Sequence, residues 1–118
     1  MNLLEYKLNQ LPDHKTLISA EQYPELLGQI DQWQVIEKDG IDRLFCVFKC
    51  DDFVAAMQLA QAITEIAEQV DHHPALLIEW GKLSVTWWSH NLRGLHINDF
   101  IMAANTQKIY NAQWIQIA

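Results

Sequence analysis

The sequence predicts an α+β domain in which a four-stranded antiparallel sheet carries helices on one face, in the order α-β-β-α-β-β-α. Two pairs of β-forming segments are each joined by a short turn, and strands joined in this way must pair antiparallel. Three other segments repeat apolar residues every three or four positions, as amphipathic helices that cover a sheet do. A chain of 118 residues is long enough for one such core and too short for two.

The chain begins with a poorly patterned N-terminal arm, residues 1–18, which belongs to the single domain 1–118. Ser19 is a suitable helix cap, and apolar side chains then recur at helical spacing at positions 23, 26, 27 and 30. Pro24 is tolerated in a first helical turn, where backbone N–H groups have no partner in the helix. We therefore expect the first helix over about 20–30.

A hairpin and a long helix are predicted next. Residues around 33–37 alternate, Lys38-Asp39-Gly40 is a strong turn signal, and 41–50 is rich in β-forming residues. Asp51 or Asp52 then caps the helix, which Pro74 ends just before or within the run Asp71-His72-His73-Pro74. The predicted apolar stripe of this helix consists of Phe53, Met57, Ala60, Ile63 (or Thr64), Ala67 and Val70.

The second hairpin is predicted from strands at 75–80 and 83–90 with a turn at Gly81-Lys82. Because side chains alternate along a strand, Leu83, Val85 and Trp87 share one face, whereas Ser84, Thr86, Trp88 and His90 share the other. After Gly94-Leu95, the pattern from Ile97 to about Tyr110 predicts the closing helix.

Composition limits the compartment and the partners. The net charge of −7 and the scattered basic residues argue against nucleic acid or an anionic membrane surface as a partner. No signal peptide or membrane-spanning run is predicted. Cys46 and Cys50 lie on one predicted strand with α-carbons roughly 13 Å apart, too far for a disulfide. Reduced thiols fit a cytoplasmic protein.

The histidine run, together with His90, is the strongest functional signal. Histidine titrates near neutral pH, so a cluster of imidazoles can donate and accept protons without a cofactor. Neighbouring histidines serve one site only where the backbone is irregular, as between a helix end and a proline-led strand. From these residues alone two interpretations stay open: a proton-handling site, or a helix-end cap beside a solvent-exposed ring.

Other chemistries have less support. A zinc shell would draw on His72, His73, His90, His96, Cys46 and Cys50, but no familiar ligand spacing is present, and we expect no metal. The chain has neither a G-x-S-x-G elbow nor a Gly-rich phosphate loop. Trp88 is either packing or the wall of a pocket for a flat heteroaromatic ligand. Glu68 and Asp99 have the alternative of being ordinary helix charges.

Taken together, these residues form a long pattern, E-x3-H-H-P-x5-W-x9-H-x8-D. It resembles the signature of the pterin-4a-carbinolamine dehydratase family. The resemblance covers about 30–112, is strongest over 68–104, and implies the four-stranded fold predicted above. The residues that carry it are Glu68, His72, His73, Pro74, Trp80, His90 and Asp99, with Asp71, Ser89, Gly94 and Leu95 beside them.

The resemblance implies a cofactor-free hydro-lyase that dehydrates 4a-hydroxytetrahydropterin to quinonoid dihydropterin. His72 and His90 would be the general acid and base, and His73 would orient the pterin and share the acid role. Glu68 and Asp99 would hold the imidazoles, and Asp71, Trp88 and Ser89 would line the pterin pocket. Trp88 is bulkier than the residue expected there, which puts the pterin side-chain preference in question.

The resemblance also implies partners. We expect a homodimer or homotetramer and a functional link to an aromatic amino acid hydroxylase, such as phenylalanine hydroxylase, in tetrahydrobiopterin recycling. The alternative hypothesis is a non-catalytic pterin-binding or regulatory protein on the same scaffold.

Overall fold

The computed structural model describes residues 2–13 and 15–113 and confirms the predicted α+β fold. The α-helices and strands are α1 (Tyr23–Leu27), β1 (Gln34–Lys38), β2 (Ile41–Lys49), α2 (Phe53–Val70), β3 (Ala75–Glu79), β4 (Lys82–Trp87) and α3 (Ile97–Gln113). Short 3-10 turns occupy Leu3–Glu5, Leu8–Gln10 and Ala20–Gln22. The strands form one antiparallel sheet in the order β1-β2-β4-β3.

The first helix is shorter than the sequence predicts. Ser19 caps the 3-10 turn that leads into it, through a box in which its hydroxyl accepts from Glu21 N–H and its own N–H donates to Gln22. The winding is 3-10 before Tyr23, and after Gly28 the chain returns to i→i+3 bonds, from Gln29 to Leu26 and from Ile30 to Leu27. The predicted segment 20–30 therefore consists of consecutive turns, but only Tyr23–Leu27 is an α-helix.

Helix α2 supplies much of the core. Asp52 caps it by accepting from Ala55 N–H at 2.8 Å. The buried face consists of Ala56, Leu59, Ala60, Ile63 and Ala67. The predicted stripe is correct in its second half and wrong at its start, because Phe53 and Met57 lie on the exposed side of the first turns.

Strand β4 ends earlier than predicted, at Trp87 rather than at position 90. Its ladder with β3 starts at the Ala75–Thr86 pair because Pro74, just before β3, has no N–H to extend it. Ser89 then pairs with Gly94 in an isolated bridge, and Arg93 adopts a left-handed conformation with φ 56°. His90 consequently stands on a tight turn beyond the end of the sheet.

The N-terminal arm packs against the connection between β4 and α3. Ile18 N–H donates to Leu95 O at 2.7 Å, and the Asn98 side chain donates to Pro12 O at 2.8 Å. Leu17 lies so close to Gly94 that an added Cβ would be 3.0 Å from it. The arm therefore holds the segment that presents His90 and Asp99.

Candidate active site

A cavity of about 410 Å³ opens where the end of α2 meets the turn after β4. Two backbone irregularities shape it: Asp71, at the end of α2, has φ 52°, and the Ser89–Gly94 bridge folds the next segment back. The left-handed Asp71 ends α2 and redirects the chain, so that both neighbouring histidines reach one cavity. The lining residues are Asp71, His72, His73, Ser89, His90, Asn91 and Leu92.

His72 is the buried imidazole of the cavity. Its Nε2 atom lies 2.6 Å from Asp99 Oδ1, and its ring stacks on the buried indole of Trp87 with centroids 5.5 Å apart. Trp87 is itself fixed, because its Nε1–H donates to the Thr106 hydroxyl of α3. The ring plane of His72 and one of its nitrogens are therefore both restrained.

Asp99 accepts hydrogen bonds on both carboxylate oxygens. Oδ2 accepts from the Ser89 hydroxyl at 2.7 Å and from His96 N–H at 2.9 Å, while Oδ1 faces His72. The side chain of Asp99 is fully buried. A buried carboxylate needs such donors, and here they leave one oxygen to hold an imidazole.

His73 has a more open environment. Its Nε2 atom pairs with Glu68 Oε2, and the two side chains are 52% and 67% exposed. Because water screens this pair, it orients the ring more than it stabilises the fold. The two carboxylates named from the sequence thus each contact a different histidine.

His90, like His73, is an exposed imidazole of the cavity. Its ring stacks on Trp88 with centroids 4.3 Å apart and planes 22° apart. Trp88 is not among the residues that line the cavity, and the ring that it contacts at the site is that of His90. Trp80, which belongs to the sequence pattern, is exposed on the turn between β3 and β4 and does not line the cavity.

Some features of the site were not identified from the sequence. Asn91 and Leu92 line the cavity, and the Ser89 hydroxyl is engaged with Asp99. The alternation of β4 extended to position 89 would have indicated that Ser89 faces inward, with Leu83, Val85 and Trp87. His96 is buried, its Nδ1 atom accepts from Asn98 N–H, and it does not line the cavity.

The remaining reactive groups lie apart from this cavity. Burial raises the pKa of Cys46 to about 11, and burial together with Asp51 and Asp52 raises that of Cys50. Both thiols are free and favour the unreactive protonated form near neutral pH.

In residues 2–13 and 15–113, no three His, Cys, Asp or Glu side chains converge as a metal ion requires. Over the same part of the chain, no helix is long and apolar enough to cross a membrane.

Comparison with known proteins places this arrangement in context. Residues 16–109 match the family model described as "Pterin 4 alpha carbinolamine dehydratase". A protein of Vibrio vulnificus (strain YJ016), named "Putative pterin-4-alpha-carbinolamine dehydratase", is 46% identical over 92 residues, which are 78% of this chain and 84% of that protein. A protein of the same name from Microcystis aeruginosa is 43% identical over 111 residues, 94% of this chain and 96% of its own length.

A solved structure has the same fold. The "transcriptional coactivator/pterin dehydratase from Brucella Melitensis" superposes with a TM-score of 0.72 at 28% sequence identity. The match covers 80% of this chain and 98% of that chain.

Proposed function

Because the chain belongs to the pterin-4a-carbinolamine dehydratase family, whose members are hydro-lyases, we propose that it dehydrates 4a-hydroxytetrahydropterin by histidine acid–base catalysis. The observation that carries the proposal is that His72 and His90 line one cavity while a buried carboxylate holds His72. The product is quinonoid dihydropterin, and the reaction has no net oxidation or reduction.

The reaction requires two proton transfers. One imidazolium donates a proton to the 4a-hydroxyl as the C4a–O bond breaks, and one neutral imidazole accepts the N5 proton as the C4a=N5 bond forms. Water leaves with the donated proton, so atoms and charge balance. Each well-placed acid or base contributes roughly 10²–10⁴-fold to such a step.

The contacts favour His72 as the base and His90 as the acid. When His72 takes a proton, Asp99 at 2.6 Å stabilises the imidazolium that forms. His90 is exposed, so it can be reprotonated from solvent after each turnover. No resident cofactor or metal is needed, because imidazoles carry both protons.

His73 is proposed to orient the pterin and to share the acid role, with Glu68 holding its ring. Asp71 and Ser89 line the cavity and supply polar atoms for the pterin ring. The sequence predicts that Trp88 lines the pterin pocket. Its contribution to the proposed site is the stacking contact with the ring of His90.

The test is the dehydration of chemically generated 4a-hydroxytetrahydropterin, followed by ultraviolet absorbance in the presence of a chelator. We expect a rate proportional to protein concentration that is lost in the double variant His72→Gln/His90→Gln. A folded wild-type protein that leaves the uncatalysed rate unchanged would contradict the proposal. Calorimetric binding of a dihydropterin without turnover would instead favour a non-catalytic pterin-binding or regulatory protein.

We further propose a cytoplasmic homodimer or homotetramer that recycles tetrahydrobiopterin for an aromatic amino acid hydroxylase. The exposed apolar side chains of Phe53, Val54 and Met57 on the first turns of α2 are compatible with a contact between subunits. Light scattering measures the mass, and Val54→Lys is expected to lower it. A monomer at micromolar concentration would contradict the oligomer.

A further inference from the structure

His90 lacks the restraint that the other two cavity histidines have. Asp99 holds a ring nitrogen of His72, and Glu68 holds one of His73. Among the described residues, no side chain hydrogen-bonds to the imidazole of His90, which is exposed on the turn after β4. A free imidazole at the surface would exchange among rotamers and lose the orientation that proton transfer requires.

The indole of Trp88 restrains His90 instead. The two rings are nearly parallel, with planes 22° apart and centroids 4.3 Å apart, which is the spacing of a stacked aromatic pair. Trp88 is not among the residues that line the cavity, whereas His90 is. On the side of the cavity, the indole of Trp88 contacts the ring of His90.

Arg43 in turn packs on Trp88. The β2–β4 ladder ends at the pair Leu44–Trp87. Arg43 precedes Leu44 on β2 and Trp88 follows the last residue of β4, so the two lie one position beyond that pair. The guanidinium carbon of Arg43 lies 4.1 Å from the centroid of the Trp88 ring, a cation–π contact. Its Nη2 atom donates to Lys38 O at 3.3 Å. Its buried Nε has no hydrogen-bond partner in the described part of the chain.

We propose that Arg43 is a positioning residue that acts through Trp88 to hold the imidazole of His90 at the cavity. The guanidinium fixes the indole, and the indole limits the rotamers of His90. The effect on turnover rests on the proposed function, whereas the effect on the His90 ring does not. Neither Arg43 nor Trp88 needs to touch the substrate.

The direct test is NMR of protein labelled at the histidine rings, with His90 assigned from the signal that His90→Gln removes. The ring current of Trp88 is expected to shift the His90 ring protons upfield in the wild type. Trp88→Ala should abolish the shift, Arg43→Met should reduce it, and Arg43→Lys should restore part of it. Lys49→Met, which removes an exposed cation from the same strand, should leave it unchanged.

The kinetic test separates positioning from substrate contact. Arg43→Met is expected to lower kcat about fivefold with little change in KM, while Lys49→Met changes neither. A rise in KM at constant kcat would mean that Arg43 contacts the pterin and would overturn the inference. So would an unshifted His90 in the wild type or an identical spectrum in Arg43→Met. If the wild type has no dehydratase activity, the proposed function fails and the NMR result alone decides whether Arg43 positions His90.

Discussion

The Nε2 atom of His72 lies 2.6 Å from Oδ1 of Asp99, and their side chains are 9% and 0% exposed. Both oxygens of the carboxylate are engaged, and an ionised carboxylate only accepts hydrogen bonds. The proton of this contact therefore belongs to Nε2 of His72, an assignment that follows from the hydrogen-bond network. Asp99 thus sets the tautomer of His72 and stabilises its charged form.

Asp99→Asn tests this relationship with almost no change in shape. The amide oxygen can still accept from Ser89 and His96, which directs the amide NH2 toward Nε2 of His72. His72 must then carry its proton on Nδ1, so the nitrogen that exchanges protons is altered. We expect kcat to fall by about 10²–10⁴-fold, measured by carbinolamine dehydration. Unchanged kcat in a variant with a native circular dichroism spectrum would contradict this role.

Glu68→Gln makes at His73 the same carboxylate-to-amide change that Asp99→Asn makes at His72. Because Glu68 and His73 are both more than half exposed, their pairing should contribute less than about 1 kcal/mol to the free energy of unfolding. We expect a severalfold rise in KM and a smaller change in kcat than in Asp99→Asn. Steady-state kinetics of the two variants side by side measure the difference. A larger fall in kcat in Glu68→Gln would reverse the assigned importance of the two carboxylates.

The sequence was sufficient for the fold and for the three histidines that line the cavity, but not for Asn91 and Leu92 or for the pairing within the cavity. Alternation through the second hairpin correctly separates buried Trp87 from half-buried Trp88, which directly follows β4. Which carboxylate contacts which imidazole depends on the left-handed Asp71 and on where α3 packs, neither of which leaves a periodic signal. The contact of Arg43 with Trp88 depends on strand register, which alternation alone does not specify.

Ser89→Ala removes a buried donor from Asp99 while leaving the His96 N–H in place. Since Ser89 is 4% exposed, water does not readily replace the lost hydroxyl. We expect a loss of about 1–3 kcal/mol in the free energy of unfolding, measured by urea denaturation, and a smaller fall in kcat than in Asp99→Asn. Ser89→Thr retains the hydroxyl and should recover part of the activity. Equal unfolding free energies of wild type and Ser89→Ala would show that this hydrogen bond does not support the buried carboxylate.

Tyr23 links the first helix to the sheet and makes stability sensitive to alkaline pH. Its hydroxyl donates to Asp42 Oδ2 at 2.9 Å on β2. Burial first, and then the hydrogen bond and charge of Asp42, raise the pKa of Tyr23 from 10.0 to about 12. A pKa raised by folding means that the neutral phenol is favoured in the folded state. Its contribution to stability is therefore complete below pH 10 and is lost as the pH rises toward about 12.

Tyr23→Phe isolates this contribution from that of other groups that titrate in the same range, among them Tyr110, whose pKa burial also raises. We expect the wild type to be more stable than the variant below pH 10, by on the order of 1 kcal/mol because Tyr23 is only partly buried. The difference should shrink as the pH approaches 12, since the ionised phenolate cannot donate to Asp42 and is repelled by it. Urea denaturation of both proteins across this pH range measures the difference. A difference that stays constant with pH would mean that the hydroxyl acts only through packing.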